Sequence, residues 1–475
     1  MLKHKNKKTL RYSIVFLLFV SSLSSFAQFI IEPFIQDVGL SIDKPQIIIR
    51  WESDTEVGNY SLSLHPSSLK KDVKAIAPKC KKLNLLKKSF LYQVKLEDLS
   101  PNTEYSYSIF QGKDQVFESH FKTRPTENKF RFAYVACNGE GTEAQRNILT
   151  QIKQLNPDFI VHGGDFVYPK GTRREFIKNG FPYYKNLISQ VPMFLNHGNH
   201  DIGDQEGLSK TCDNAAALIY FSSPDNGPIV EKKFPGEKEE LEKFYKHAPK
   251  EKIKKCSFYS VTYGKTLMIF LDGNIWVNQS DKKILEWLNK TLSESKVLVK
   301  IAFIHQPPFS TGMELCATQL GKTPQGIFFQ NDINRARVFT EILQEHDVKL
   351  CVSAHLHVYE RSKPLTYGTK DNKIVVDDKG ITYITSGAGG AHLHTKNFVE
   401  AIKKMPNLMQ QVQKMNTTPE LFVKFALSKV SKYSFHAKHD FDQYSFTFVE
   451  VDGQNINIQQ INEQGKVIDQ LTIQK

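Results

Sequence analysis

The spacing of apolar residues divides the chain into two parts that differ in their expected secondary structure. Between residue 29 and about residue 125, short segments rich in β-branched and aromatic residues alternate with polar turns. These segments are QIIIRWES, YSLSLHP, FLYQVKLEDL, TEYSYSIF and VFESHFKT. The pattern predicts an all-β domain over residues 29–125, and KTRPTENK is expected to link it to the rest of the chain.

From residue 130 onward, apolar runs alternate with stretches of helical periodicity, which is typical of an α/β domain. The runs are RFAYVAC, DFIVH, PMFLN, LMIFLD, KIAFIH, KLCVS and ITYIT. They lack polar–apolar alternation, so we expect strands that are covered on both faces. The predicted helices include EAQRNILTQIKQL, DKKILEWLNKTL and NRARVFTEILQEH, in which apolar residues recur three and four positions apart. A second domain is therefore expected over residues 130–475.

Two stretches interrupt this alternation and are interpreted as insertions. Residues 203–256 are polar and charged, and residues 393–435 have a helical pattern in KNFVEAIKKM and PELFVKFALSKV. We expect both to lie on the surface near the functional site, where loops commonly select substrates. Residues 441–475 return to a β pattern.

The first 28 residues bear on where the protein acts. MLKHKNKKTLRYSIVFLLFVSSLSSFAQ has a lysine-rich start, a short apolar core, and the small residues Ser25 and Ala27 before a break. The core is too short for a comfortable membrane span, although an uncleaved anchor is the alternative. We interpret residues 1–27 as a signal peptide that is cleaved near Ala27. The mature protein is then exported, to the periplasm or the cell exterior, without stable membrane insertion.

Charge and cysteine content narrow the choice of partners only slightly. The 475-residue chain has a formal net charge of +13, and five of its cations lie in the first 28 residues, which contain no acid. The excess charge fits attraction of anionic substrates and equally a lysine-rich soluble surface. No basic stripe with interleaved aromatic residues is visible, so nucleic acid is not an expected partner. Among the six cysteines, Cys212 and Cys256 bracket the first insertion and could pair.

Candidate chemistry lies where the apolar runs of the second domain end. Ligand crevices in open α/β sheets lie outside the carboxyl ends of the strands, so side chains at these positions should meet at one edge. The side chains at these ends are Cys137, Asp165, Tyr168, Asn199, His200, His305, His355 and His357. Their chemistry indicates metal ligands and proton donors.

The number of these side chains exceeds what a single tetrahedral metal site would use. They suit two metal ions that share a carboxylate bridge and lie roughly 3.5–4 Å apart. Such a pair can generate hydroxide at neutral pH and hold an in-line displacement at phosphorus. A hard trivalent ion would favour the anionic oxygen of Tyr168.

GGDFVY, GNHD, FIHQPPF and AHLHVYER resemble the successive blocks of the calcineurin-like metallophosphoesterases, and most closely those of the purple acid phosphatases. LSPNTEYSYSI resembles the segment before a late strand of fibronectin type III domains, which that family places before its catalytic domain. The resemblance covers roughly residues 30–392 and the carboxyl-terminal strands. It implies a fibronectin III-like β-sandwich followed by a four-layer α/β/β/α metallophosphoesterase sandwich.

The resemblance also implies roles for most of the candidate residues. The first metal ion is ferric in the family, and the second is a divalent iron, zinc or manganese ion. Asp165 would bridge the two ions, Tyr168 and His357 would bind the first, and Asn199, His305 and His355 would bind the second.

The activity implied is that of a metal-dependent phosphatase. It would hydrolyse the phosphomonoester of a phosphorylated small molecule through a metal-bound hydroxide. His200 would contact the phosphate and help protonate the leaving group. The oligomeric state is left open.

One block departs from the family. An aspartate normally ends the first strand and binds the first metal, but this strand ends VACNGEG, which places Cys137 or Asn138 there. A cysteine at this position resembles the PhoD-type alkaline phosphodiesterases, whose ASC block puts a thiolate on ferric iron. A thiolate is a strong ligand when a metal lowers its pKa. The alternatives are a buried structural cysteine, with Asn138 or water completing the site, and a degenerate site.

Two other functions follow from this departure: a PhoD-like phosphodiesterase, and a non-catalytic binding or adhesion protein with a vestigial metal site.

Further expectations concern the surroundings of the site. Asp272 is expected to hydrogen-bond a ligand histidine, and Glu360 and Arg361 to form an ion pair that supports the last loop. His439 is a candidate for reaching the pocket.

Overall fold

The computed structural model describes most of the chain outside the first 27 residues. The described residues are 28–54, 59–68, 76–85, 87–203, 216–234, 238–248, 250–320, 322, 324–404 and 406–474. The predicted signal peptide and Cys212 lie outside these ranges. Cleavage near Ala27 and the pairing of Cys212 with Cys256 therefore stay predictions.

The N-terminal part consists of antiparallel β-sheets, as its sequence pattern predicted. Its strands are β1 (Phe29–Asp37), β2 (Ile47–Ser53), β3 (Tyr60–Pro66), β4 (Lys79–Leu85), β5 (Lys87–Leu96), β6 (Glu104–Gln111) and β7 (Asp114–Lys122). One sheet has the order β1-β2-β5-β4 and the other β3-β6-β7. The two sheets share a buried core, in which Trp51 stacks on Tyr92 with 5.5 Å between ring centroids and meets Tyr60 edge-on at 5.6 Å.

Ten of the fifteen described strands that follow correspond to the seven predicted apolar runs and the three carboxyl-terminal β segments. The other five were not predicted: Tyr259–Tyr263, Tyr359–Ser362, Leu365–Gly368, Lys373–Val376 and His436–Asp440. All of these strands, in chain order, are β8 (Lys129–Val135), β9 (Phe159–His162), β10 (Met193–Leu195), β11 (Tyr259–Tyr263), β12 (Thr266–Leu271), β13 (Val299–Ile304), β14 (Leu350–Ser353), β15 (Tyr359–Ser362), β16 (Leu365–Gly368), β17 (Lys373–Val376), β18 (Thr382–Ser386), β19 (His436–Asp440), β20 (Ser445–Asp452), β21 (Asn455–Asn462) and β22 (Val467–Ile473).

Helices occupy most of the segments between these strands. They are α1 (Glu143–Leu155), α2 (Arg173–Glu175), α3 (Phe181–Ile188), α4 (Ala217–Tyr220), α5 (Lys238–His247), α6 (Lys250–Lys255), α7 (Lys282–Glu294), α8 (Thr311–Leu320), α9 (Pro324–Arg337), α10 (Thr340–Glu345), α11 (His394–Lys404), α12 (Pro406–Lys414) and α13 (Pro419–Ser428). Among the described helices, none combines the length and the apolar character needed to cross a membrane.

The strands that end at the site belong to two sheets rather than one. The first sheet has the order β10-β9-β8-β20-β21-β22, and the second β11-β12-β13-β14-β18-β15-β19. They pack face to face through aromatic side chains, with Tyr134 stacked on Phe303 at 5.9 Å and Phe194 against Phe270 at 6.0 Å. The expectation of a single sheet edge was wrong, because β8, β9 and β10 end in one sheet while β13 and β14 end in the other.

The helical periodicity correctly located α1 and α7 but not the break between α9 and α10. NRARVFTEILQEH was expected to be one helix, whereas α9 ends at Arg337 and α10 begins at Thr340. The Thr340 hydroxyl donates a hydrogen bond of 2.7 Å to the Arg337 carbonyl, which occupies an acceptor that the end of a helix leaves open. Phe339 in the turn is fully buried, so its burial compensates for the break in helical hydrogen bonding.

A buried ion pair of the N-terminal part also contacts the second part of the chain. Arg124 donates two hydrogen bonds of 2.6 Å to the carboxylate of Asp37, and it also donates to the carbonyls of Gly39 and Thr262. Both charged side chains are almost completely buried, at 1% and 2% exposure. The Arg124 guanidinium and the Asp37 carboxylate therefore neutralise each other in a place that water does not reach.

We expect Arg124→Met to lower the free energy of unfolding by about 3–5 kcal/mol, because it leaves Asp37 buried without its cation. Urea denaturation followed by fluorescence measures this. The control is Lys95→Ala, which removes an exposed ion pair with Glu97 and should cost less than about 1 kcal/mol. Equal effects of the two substitutions would contradict the assignment of Arg124 as a buried link.

Candidate metal centre

Three of the candidate ligands have strained backbones at the ends of their strands. Cys137, Asp165 and His355 have φ values of 52°, 55° and 66°, in the left-handed region that residues other than glycine seldom adopt. Each such residue costs on the order of 1–3 kcal/mol and persists only where the surroundings fix it. Cys137, for example, is held by hydrogen bonds from its N–H to the Gly164 carbonyl and from the Ala391 N–H to its own carbonyl.

Asp165 lies at the centre of the site. Its Oδ1 accepts a hydrogen bond of 2.9 Å from the backbone N–H of His200. Its Oδ2 lies 3.0 Å from the Tyr168 hydroxyl, 3.3 Å from His305 Nε2 and 3.9 Å from Cys137 Sγ. Ligand atoms of Cys137, Asp165 and His305 all lie within 4.8 Å of one another, a spacing that a metal ion could bridge.

The other candidate ligands around Asp165 form two groups. In the first group, the Tyr168 hydroxyl is 2.8 Å from His357 Nε2. In the second group, Asn199 Oδ1 is 3.0 Å from His355 Nδ1, and the rings of His305 and His355 are 5.2 Å apart. The structure thus brings together the predicted candidate ligands in two groups that share Asp165.

The site has more acceptors than hydrogens to satisfy them. His305 Nδ1 lies 2.7 Å from the Gly163 carbonyl, which can only accept, so a neutral ring keeps its lone pair on Nε2. That buried Nε2 has no hydrogen-bond partner among the described residues and faces the Asp165 carboxylate. In the same way His357 Nδ1 lies 2.7 Å from the His392 carbonyl, which leaves Nε2 as an acceptor.

The Tyr168 hydroxyl has one hydrogen for two acceptors, Asp165 Oδ2 and His357 Nε2. Buried acceptor atoms that lack a hydrogen are destabilising unless a cation lies between them, so these residues fit metal ions. The donor set of imidazoles, a carboxylate, a phenol and a thiol suits iron and zinc.

The electrostatics of the site lead to the same conclusion. Burial, and then the neighbouring Asp165 carboxylate, raise the pKa of the Cys137 thiol and of the Tyr168 phenol well above their ordinary values. Both groups therefore keep their protons until a cation compensates the anion. Burial opposes ionisation of Asp165, but the positive charge that His305 and His200 contribute outweighs it and holds the pKa of this carboxyl well below its usual range. Burial lowers the pKa of His305, but Asp165 outweighs this effect and raises it, so without a metal ion a proton on His305 supplies the compensating positive charge.

Of the two residues that could replace the missing aspartate, only Cys137 faces Asp165. Asn138 is fully buried in the opposite direction, where its Nδ2 donates a hydrogen bond of 2.5 Å to the Tyr184 hydroxyl. Its Oδ1 lies 3.2 Å from His162 Nε2. Because both ends of this amide are engaged elsewhere, Asn138 is not in a position to bind a metal beside Asp165.

Asp201 also belongs to the site and was not predicted, although it is the last residue of GNHD. Its buried carboxylate accepts hydrogen bonds of 2.7–2.9 Å from the backbone N–H groups of Asp165, Phe166 and Gly198. Burial, followed by the nearby Asp165, raises the pKa of Asp201 to about 7. This carboxylate ties the loop after β9 to the loop after β10.

His200 lies at the partly exposed side of the cluster. Its ring packs against Tyr168 with 4.5 Å between ring centroids, and its Nδ1 lies 2.6 Å from the Pro169 carbonyl. In the neutral ring the hydrogen therefore resides on Nδ1, which leaves Nε2 available to exchange a proton.

Residues 130–359 match the family model of the calcineurin-like phosphoesterases. This part of the chain is a calcineurin-like phosphoesterase domain. The match begins in β8 and ends at the start of β15, so it includes all the candidate ligands described above. No curated protein sequence matches the chain.

Two solved structures resemble the chain over almost its full length. A purple acid phosphatase isolated from yellow lupin (Lupinus luteus) seeds has a TM-score of 0.65 at 16% sequence identity, and the alignment covers 93% of this chain and 74% of that one. The structure of PhoD has a TM-score of 0.54 at 11% identity, with 93% and 92% of the two chains covered. At these identities the similarity shows a shared fold.

Two expectations about the surroundings of the phosphoesterase site were wrong. Asp272 contacts no ligand histidine, because it accepts hydrogen bonds from the Asn274 amides and from Trp276 Nε1 within its own loop. Glu360 and Arg361 do not pair, because successive side chains of a strand point to opposite faces. Glu360 accepts from Thr311 and Gly312, whereas Arg361 pairs with Asp469 at 2.7 Å.

Two other sequence features have roles outside the cluster. His439 lies on β19, hydrogen-bonded to His436 and stacked on Phe441. In the SGAGGAH stretch, a Cβ on Gly389 would lie 2.2 Å from the Ala136 carbonyl, so glycine permits this loop to pack against the end of β8. The next residues of this loop bring the His392 carbonyl to His357.

Gly198 is a sensitive position for the phosphoesterase site, since a Cβ there would lie 2.1 Å from Asp165 Oδ1 and 2.3 Å from Asp165 N. We expect Gly198→Ala to displace Asp165 and to lower the metal content, measured by elemental analysis of the purified protein. The control is Gly112→Ala in the β6–β7 turn, where no atom lies within 4 Å of the added Cβ and the only cost is the strain of alanine at a φ of 65°. This control should lower stability slightly and leave the metal content unchanged. A Gly198→Ala protein with the wild-type metal content would contradict the central position of Asp165.

Proposed function

We propose that the protein is an exported, dinuclear-metal phosphatase that hydrolyses the phosphomonoesters of small molecules. The observation that carries the proposal is the cluster around Asp165, in which buried acceptors from the ends of five strands outnumber the available hydrogens. Two bound metal ions would polarise the phosphate ester and lower the pKa of water, which supplies the nucleophile.

In this proposal Asp165 would be a ligand of both ions. Cys137, Tyr168 and His357 would hold the first ion, Fe(III), and Asn199, His305 and His355 would hold the second, a divalent iron, zinc or manganese ion. The observed contacts support this division, since Tyr168 lies beside His357 and Asn199 lies beside His355. Anionic oxygen and sulfur donors then fall on the more highly charged ion.

The protein's own contribution to the reaction is to position groups and to transfer a proton. His200, in its protonated form, would donate a hydrogen bond from Nε2 to the phosphate and then pass that proton to the leaving oxygen as the ester P–O bond breaks. Its backbone N–H is bonded to Asp165 Oδ1, so the proton donor and the bridging carboxylate are held by one segment. Asp201 keeps that segment in place through its three backbone hydrogen bonds.

The proposal includes the finer description of the fold. Residues 29–125 are taken as a fibronectin III-like domain, and residues 130–475 as the metallophosphoesterase domain, a four-layer α/β/β/α sandwich with insertions at about 203–256 and 393–435. The two sheets that pack face to face support this architecture. The sequence of residues 1–27 supports export.

A PhoD-like phosphodiesterase is the second candidate, and the observation that favours it is Cys137 facing Asp165 at the end of the first strand. Turnover of p-nitrophenyl phosphate and of bis(p-nitrophenyl) phosphate by the same preparation distinguishes the two activities. A preference for the diester would overturn the phosphatase assignment. A protein that turns over neither ester would favour the third candidate, the non-catalytic binding protein.

We expect His305→Ala to reduce kcat/KM by about 10²–10³-fold, since losing a ligand of the second ion removes several kcal/mol of charge stabilisation. The matched control is His439→Ala, which removes a half-buried histidine outside the cluster and should keep wild-type activity. Circular dichroism checks that both variants are folded. Unchanged activity in a folded His305→Ala protein would speak against metal catalysis at this site.

Cys137 is tested by the absorption spectrum. We expect a charge-transfer band in the visible range for the iron-loaded wild type, and a shifted or absent band for Cys137→Ser, because a hydroxyl replaces a thiolate donor. Cys137→Asp supplies an anionic oxygen and should retain two ions per chain by elemental analysis. Identical spectra for the wild type and Cys137→Ser would leave Cys137 as a buried structural thiol.

A further inference from the structure

Asp332 on α9 approaches His355 from the side opposite Asn199. This aspartate is 1% exposed, and its Oδ2 lies 3.0 Å from His355 Nε2. The His355 N–H direction misses Oδ2, so the two atoms are close without an aligned hydrogen bond, and no other aligned donor reaches this oxygen among the described residues. Oδ2 is therefore a buried acceptor that lies beside the His355 ring.

Arg335, one helical turn further along α9, binds the other oxygen of this carboxylate. Its NH2 group pairs with Asp332 Oδ1, and its Nε donates a hydrogen bond of 3.0 Å to the Gly273 carbonyl. Arg335 thus compensates the charge of Asp332 and fixes its orientation. Phe328, also on α9, places its ring 5.9 Å from the ring of His355.

The position of the hydrogen on His355 decides which nitrogen can bind a metal. Nδ1 lies 3.0 Å from Asn199 Oδ1, on the side of the proposed second ion. A negatively charged carboxylate 3.0 Å from Nε2 favours the hydrogen on that nitrogen by its charge even without an aligned hydrogen bond, so the lone pair is on Nδ1. Without such a partner, both tautomers compete, and the one with hydrogen on Nδ1 would bond to Asn199 instead of to a metal.

The other two candidate ligand histidines receive this kind of support from the backbone. His305 Nδ1 lies 2.7 Å from the Gly163 carbonyl, and His357 Nδ1 lies 2.7 Å from the His392 carbonyl. Asp332 is the corresponding partner of His355, but it is a charged side chain supplied by a distant helix.

We propose that Asp332, held by Arg335, is a positioning residue that fixes the orientation and tautomer of His355 for binding the second metal ion. The proposal rests on the proposed function, which makes His355 a ligand of that ion. It assigns to α9 a part in the metal site that the ligand residues alone do not reveal.

The test is the affinity for the second ion, measured by competition of zinc between the protein and a chelator. We expect Asp332→Ala to weaken binding of the second zinc ion about 10–100-fold, while the first ion stays bound. Asp332→Asn keeps an acceptor of the same shape in the same place. It should fold like the wild type and lose less affinity than the alanine variant.

The control is Glu314→Ala. Glu314 on α8 forms an ion pair with Arg337 at the end of the same helix α9, and both side chains are largely buried. This variant loses an ion pair that anchors α9 without touching His355, so it should keep the wild-type zinc affinity even if its melting temperature falls.

The possible outcomes separate this inference from the proposed function. If the wild type binds two ions and Asp332→Ala binds the second with unchanged affinity, Asp332 has no positioning role. Equal losses in Asp332→Ala and Glu314→Ala would also overturn it, since α9 would then act only through stability. A wild-type protein that binds no second ion would overturn the proposed function together with this inference.

Discussion

The carboxylate of Asp201 is the constraint on which the rest of the site depends. Three backbone N–H groups from two loops point at it, and those loops carry Asp165, Asn199 and His200. Because these N–H groups are buried, water could not replace Asp201 as their hydrogen-bond acceptor. Each unpaired N–H group would then cost about 1–3 kcal/mol of folding free energy. The geometry around Asp165 is therefore set by a residue that need not touch a metal or a substrate.

The candidate ligands were found from the sequence because each of them follows an apolar run, and that pattern is local to the chain. Whether Cys137 or Asn138 faces Asp165 was not predictable in this way, because the left-handed backbone at Cys137 decides the direction of both side chains. Asp201 had a visible signal in GNHD. Asp332 had none, since its contact with His355 depends on how α9 packs across the end of the second sheet.

The candidate ligands meet although their strands are divided between two sheets, whereas the strand pattern alone predicted a single sheet edge. Parallel strands end on the same side within each sheet, and the two sheets pack with these ends together. Asp165 comes from the first sheet and His305 from the second, and their side chains lie 3.3 Å apart. The site therefore depends on the packing of Tyr134 and Phe303 and their aromatic neighbours between the sheets.

Glu52 of the N-terminal part lies fully buried against Arg173 and accepts a hydrogen bond of 2.7 Å from Tyr220. Neither Arg173 nor Tyr220 belongs to the N-terminal sheets, so the charge of Glu52 is compensated only when both parts of the chain are folded and joined. Folding of the two parts is then cooperative. If the N-terminal part were exchanged for that of a related protein, the replacement would need a carboxylate at the position of Glu52 to pair with Arg173.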